Sequence, residues 1–251
     1  MINNKFLLIS LLFIGFLIFG FNPFHNSIDP EKTLIFNNEI YETKTQRLSD
    51  GSYLVAVRTE MPKVKAEMVK WWFTDYLQTT QHYKMWHPED HLWMDWENKE
   101  FGKIIGASHL VHEYIGEEIQ KLRIQFVDPL EFFKIDPNNK NLFALCAKAG
   151  LLEEQINLAK MCHVVIDTES GAEMRSRFWM GHVAKRKDNN EIRSIKSFVG
   201  NIFLTRFLVL KKSEAEDLKI HAQEEMKYLA EILPELFNSK NKLQSFSNHD
   251  Q

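Results

Sequence analysis

Residues 214–237 read EAEDLKIHAQEEMKYLAEILPELF, and this stretch decides the fold. Leu218, His221, Glu225, Leu229 and Ile232 recur in steps of three and four, the spacing of one helical face, and Pro234 lies near the end. Upstream the period changes to two. Residues 52–58 (SYLVAVR), 104–115 and 119–126 alternate as strands do. Residues 162–168 and 173–183 are two more strand candidates around Glu169-Ser170-Gly171-Ala172, so they read as a β-hairpin. A four-residue loop there pairs Thr168 with Glu173 and sets His163 opposite Phe178. Pro62 opens an earlier helical pattern through Val64, Met68, Trp71, Trp72 and Tyr76, and residues 142–151 suit a short helix. Strands framed by an early helix and a long C-terminal helix indicate an α+β fold.

Composition narrows the function classes. The chain has 251 residues and a formal net charge of −3, enough for a sizeable core and with no basic excess to attract nucleic acid. Two cysteines, Cys146 and Cys162, cannot build a disulfide scaffold or a four-cysteine zinc site. In the strand pattern Cys162 points away from His163, which makes it a buried thiol rather than a nucleophile. Glycine-rich phosphate loops and GxSxG are missing from the sequence, so nucleotide-fold and serine-hydrolase readings have no foothold.

The amino-terminal region stands apart. Residues 6–21 (FLLISLLFIGFLIFGF) carry no charge and follow Lys5. A helix of that length rises about 24 Å, short of a bilayer's roughly 30 Å hydrocarbon core, which suits an export signal or signal anchor. The expected organisation is a signal or anchor over 1–24 and a polar approach segment over 25–58. A helix-and-sheet domain over 59–238 and a polar tail over 239–251 follow. The body then lies outside the cytoplasm, with residues 6–21 engaging the membrane or the export machinery; a cytoplasmic location is the alternative.

Histidine placement carries the chemistry. His221 and Glu225 lie one turn apart and continue an apolar stripe, so they face inward, where a buried carboxylate needs a cation. The same spacing also suits a solvated pair on the outer face. His82, His87 and His91 crowd an aromatic segment with Tyr83, Trp86, Trp93 and Trp96, and any of the three histidines could be a ligand. Alternation places His109, Val111, Glu113 and Ile115 on one strand face, which makes Glu113 a second inward carboxylate.

Five ordered blocks resemble the 2,4-diacetylphloroglucinol hydrolase family: MVKWWFTDYL, HYKMWHPEDH, SHLVHEYIG with LRIQFVDP, MCHVVIDTESGAEMRSRFWMG and HAQEEMKYLAEILPELF. The resemblance implies a helix-grip fold of the Bet v 1/START kind, an antiparallel sheet around the long C-terminal helix. It also implies hydrolysis of the carbon–carbon bond between an acyl group and a phenolic ring, with one bound Zn2+ per chain. It carries the metal-ligand role onto His91, Glu113, His221 and Glu225. Tyr83 and His163 then hold the phenolic and acyl oxygens. Phe178 stands where the family has a substrate-contacting tyrosine. The competing expectation is a non-catalytic carrier, since the same fold binds apolar small molecules.

Overall fold

A computed structural model describes residues 43–133 and 141–247, with side chains to residue 240. Nine strands form one antiparallel sheet: β1 (Lys44–Arg47), β2 (Tyr53–Pro62), β3 (His91–Glu97), β4 (Ser108–Ile115), β5 (Glu118–Val127), β6 (Leu142–Leu151), β7 (Ile156–Asp167), β8 (Gly171–Lys187) and β9 (Asn190–Ile192). Their order is β1-β2-β8-β7-β6-β5-β4-β3, with β9 on β8. Among the described residues, five α-helices accompany the sheet: α1 (Ala66–Trp71), α2 (Thr80–Trp86), α3 (Ile195–Gly200), α4 (Phe203–Val209) and α5 (Lys212–Ser247).

The helix α5 packs on β2, β1 and β4, so the sheet grips it. Its inner face carries Ala215, Ala222, Met226, Leu229 and Leu233, all fully buried. Small alanines let the helix approach the sheet while the longer residues fill the space beyond them. A second apolar cluster, including Leu54, Val127, Val164 and Trp179, covers the other side of the sheet. The fold is helix-grip, as the five blocks imply.

Several local expectations change. Residues 142–151 form the strand β6, paired to β5 and β7. A short apolar run suits a buried strand as well as a helix, and pairing on both sides decides for the strand. Pro62 closes β2 instead of opening a helix; Lys63 follows at φ 64°, and α1 begins only at Ala66. The helix then continues as a π-helical turn over Trp72–Tyr76. The strand β2 runs through residue 58, so the end of the 25–58 segment belongs to the same sheet. The helix α5 extends into the expected polar tail. The run 6–21 lies outside the described residues.

The hairpin register differs by two residues from the expected one. Asp167 pairs with Ala172, and His163 with Ser176 rather than Phe178. The turn is Thr168–Gly171, closed by the Thr168 amide on the Gly171 carbonyl at 2.9 Å. A Cβ at Gly171 would stand 2.3 Å from the Met61 carbonyl oxygen, so only glycine fits beside β2. Because side chains alternate with period two, the shift keeps His163 and Phe178 on one face. Their rings meet edge-on at 5.6 Å.

Cys162 is not a free thiol. It pairs across β6–β7 with Cys146 in a disulfide. Closing a loop of this length restricts the unfolded chain by about 3 kcal/mol. Cys162→Ala is therefore expected to lower the melting temperature while leaving metal content and low-temperature activity intact. Thermal unfolding with and without reductant checks this: the reductant shifts the wild type and leaves the variant unmoved. A wild type indifferent to reductant contradicts the assignment.

Candidate metal centre

Three elements bring His91, Glu113, His221 and Glu225 together. His91 opens β3 and pairs across the sheet with Glu113 of β4, while His221 and Glu225 come from consecutive turns of α5. His91 Nε2 lies 3.9 Å from Glu113 Oε2 and 3.7 Å from Glu225 Oε2. His221 Nε2 lies 4.0 Å from Glu113 Oε1 and 3.9 Å from Glu225 Oε2. All four residues are buried.

The histidine tautomers follow from their outer contacts. His91 Nδ1 lies 2.9 Å from the Tyr83 carbonyl oxygen, an acceptor only, so Nδ1 carries the hydrogen and donates it. His221 Nδ1 lies 2.9 Å from Asp90 Oδ2 and donates in the same way. Both Nε2 lone pairs then face the Glu113 and Glu225 carboxylates. His91 Nε2 is buried and has no hydrogen-bond partner. Lone pairs aimed at carboxylates repel unless a cation stands between them, so the set fits a metal ion. Ligand atoms held tetrahedrally at about 2.0–2.2 Å stand about 3.3–3.6 Å apart. His91, Glu113 and His221 already offer ligand atoms that all lie within 4.8 Å of one another, and Glu225 Oε2 faces both imidazoles from the helix side.

Electrostatics agree. Burial holds His91 neutral, with its pKa pushed down to about 2. Burial, reinforced by the charges of Glu113 and Asp90, pushes Glu225 up to about 8 against the opposing effect of His221. Burial also opposes protonation of His221, but Glu113, Glu225 and Asp90 outweigh it and raise its pKa. Without a metal ion, a proton is the cation this site collects.

The structure separates the three clustered histidines. His91 joins the quartet. His82 stacks on Tyr76 at 4.5 Å, outside it. His87, at the end of α2, sits behind His221 with the rings 5.5 Å apart and nearly parallel. It belongs to a neighbouring group with Asp90 and His221. Asp90 went unnoticed in sequence; its only signal was the acidic residue before His91 in WHPEDH. Its carboxylate holds His221 Nδ1 from outside the quartet, the position an outer carboxylate takes behind a histidine that turns its other nitrogen inward.

A cavity of about 960 Å³ opens from this centre between sheet and helix. Tyr83, His163 and Phe178 line it together with Glu113, His221 and Glu225. The Tyr83 hydroxyl donates to Glu113 Oε2, and its ring stacks on His91 at 3.6 Å. Burial and the Glu113 charge hold its pKa well above the usual phenol value, so it stays a donor. His163 Nδ1 lies 2.7 Å from Ser176 Oγ, which leaves Nε2 for the cavity. Burial pushes its pKa down to about 4, so the imidazole is neutral near pH 7. Part of the remaining wall is apolar, with Phe73, Phe126, Leu145 and Met161 among its members, while exposed polar residues such as Glu118, Lys211 and Glu214 line it where it meets solvent. An apolar chamber with a few convergent polar groups suits a small aromatic ligand.

Comparison with known proteins adds the lineage. Residues 29–238 match the DAPG hydrolase PhiG domain. The phloretin hydrolase of Eubacterium ramulus is 28% identical over 202 residues, covering 75% of this chain and 69% of that protein. The 2,4-diacetylphloroglucinol hydrolase of a Pseudomonas species is 24% identical over 203 residues, covering 73% of this chain and 66% of that one. Its counterpart in Pseudomonas protegens matches equally, over 63% of its length. Among solved structures, Ara h 8.0201 has a TM-score of 0.42 at 9% identity, covering 72% of this chain and 97% of that one.

Proposed function

The chain belongs to the DAPG hydrolase PhiG domain family, and from that premise we propose that it is a zinc-dependent hydrolase of acylated phenols. It cleaves the carbon–carbon bond between acyl group and ring. The relatives' names, phloretin hydrolase and 2,4-diacetylphloroglucinol hydrolase, support the substrate class. The single observation that carries the metal is the pair of histidine Nε2 atoms turned onto two buried carboxylates. A carrier has no use for such a set, since each buried carboxylate costs stability unless paired.

His91, Glu113, His221 and Glu225 would hold the ion; two carboxylates and two imidazoles suit zinc. When bound, zinc supplies Lewis acidity to a carbonyl and lowers the pKa of water. Overall, water adds to the acyl carbon, the carbon–carbon electron pair passes to the ring, and the ring carbon takes up a proton. The products are a carboxylic acid and the deacylated phenol. Within the chain, Tyr83 holds Glu113 in place through its hydroxyl, and its position on the cavity wall brings it beside a phenolic oxygen. The neutral His163, its Nδ1 accepting from Ser176, can donate from Nε2 to the acyl oxygen as negative charge develops there. The apolar part of the wall, including Phe73, Phe126, Leu145 and Met161, packs on the ring.

Phe178 sets a specificity expectation. A tyrosine hydroxyl bonding a ring oxygen in a dry site contributes roughly 0.5–1.5 kcal/mol, up to about tenfold in affinity. Phe178→Tyr should therefore lower KM for diacetylphloroglucinol more than for a mono-hydroxylated acyl-phenol. Equal KM values for wild type and variant on the polyphenol would make Phe178 simple packing.

The body acts outside the cytoplasm on this reading. The uncharged run 6–21 and the Cys146–Cys162 disulfide both support it, because such bonds persist in oxidising compartments. The function is tested by elemental analysis of the purified protein, then by a screen of acyl-phenols for acid release. Protein free of zinc and inert on every acyl-phenol would leave the carrier.

A further inference from the structure

The segment Arg193–Lys212 (RSIKSFVGNIFLTRFLVLKK) carries no acidic residue. Its two short helices are amphipathic the wrong way round. In α4, Leu204, Phe207 and Leu208 lie at i, i+3 and i+4 on the exposed face, while the charged Arg206 is buried. Arg206 is held there by Asp50 Oδ2 at 2.8 Å, the Gly181 carbonyl at 2.8 Å and Asn201 Oδ1 at 2.7 Å. These bonds fix the orientation of α4, so its apolar face cannot simply roll inward. The helix α3 repeats the arrangement with Ile195, Phe198 and Val199, also exposed at i, i+3 and i+4. Ile195 is 83% exposed, Leu208 71% and Val209 63%. Two adjacent outward triads of this kind are far from the scattered single apolar residues of ordinary surfaces.

The surroundings name the occupant. Arg193, Lys196, Lys211 and Lys212 are exposed along the segment, a basic edge that matches anionic headgroups. The uncharged run 6–21 precedes β1 in the chain, and Arg47 of β1 reaches α4. There Arg47 sits 5.0 Å over the Phe207 ring and donates to the Leu210 carbonyl at 2.7 Å. The cavity opens beside this segment, since the exposed Val209, Lys211, Ser213 and Glu214 are among its lining residues, together with the exposed Glu117 and Glu118 of the β4–β5 turn.

We propose that α3 and α4 form a membrane-docking face that rests on an anionic phospholipid bilayer and holds the cavity mouth against it. Apolar side chains enter the headgroup boundary while the lysines and arginines contact phosphate, as interfacial helices do. An apolar aromatic compound dissolved in the bilayer then reaches the cavity without crossing bulk water. The surface is independent of the metal centre and of the reaction assigned to it.

The test places an environment-sensitive fluorophore on the full chain through Leu208→Cys, and separately through Phe101→Cys. Both native cysteines are in the disulfide, so each variant carries one reactive thiol. Phe101, 82% exposed in the β3–β4 loop, is the control for surface attachment alone. With phosphatidylglycerol-containing vesicles, the label at 208 is expected to brighten and shift to the blue, and less so on pure phosphatidylcholine. The label at 101 should stay water-like. A vesicle-bound chain whose label at 208 remains water-like overturns the proposal, because the run 6–21 then attaches the protein without this face. A label at 208 already shielded before vesicles are added, in a protein that sediments as a dimer, also overturns it in favour of a second copy of the chain.

Discussion

Glu225→Ala is expected to lose both zinc and hydrolysis. Glu225 faces His91 Nε2 at 3.7 Å and His221 Nε2 at 3.9 Å, so its removal deprives both imidazoles of the same neighbour. The loss should exceed the ~10–100-fold that outer-carboxylate changes cost at metal sites. Folding should survive. Burial pushes the Glu225 carboxyl up to about 8, so near pH 7 the metal-free protein already carries it largely protonated. Its charge therefore adds little to the stability of that state. Zinc content by elemental analysis separates the cases, because it reads the ligand directly whatever the substrate. Full occupancy in the variant would falsify the ligand assignment.

His163→Ala should instead retain zinc and lose turnover. A hydrogen-bond donor aimed at developing oxyanion charge is worth about 10²–10³ in kcat. His163 touches the cavity but none of the four proposed ligands in the contacts described, so metal content should equal the wild type's. Its acidity offers a second reading. Burial lowers the folded pKa to about 4, whereas the unfolded chain protonates near 6.5. Below 6.5 the unfolded state binds the proton first, so this residue's contribution to stability falls as pH drops from 6.5 towards 4. The alanine variant lacks that part of the acid sensitivity. Unchanged kcat with an unchanged acid profile would remove His163 from the reaction.

Much of this was written in local pattern. The 3.6-residue stripe through Leu218, His221, Glu225 and Leu229 gave both the long helix and its inward polar pair. Period-two alternation correctly put Glu113 on the face of Val111. What local pattern could not supply was pairing. The turn chemistry around Gly171 was visible, yet the choice between two registers two residues apart depended on the close approach of β2. Residues 142–151 suit a helix as well as a strand because a short apolar run has no period of its own, and only strand pairing makes Cys146 and Cys162 cross-strand neighbours. Asp90 meets His221 across 131 positions, a contact made only by folding. The outward faces of α3 and α4 were equally hidden, since apolar spacing at i, i+3 and i+4 does not say which side the core is on.

The central claim is that a metal held by His91, Glu113, His221 and Glu225 serves carbon–carbon bond hydrolysis. Acid release from diacetylphloroglucinol, followed before chelation, after it and after zinc is restored, tests this most directly. The account predicts one equivalent of acid per acyl group removed, loss of release on chelation and recovery with zinc. Acid release indifferent to the chelator, or none from fully zinc-loaded protein, would contradict it.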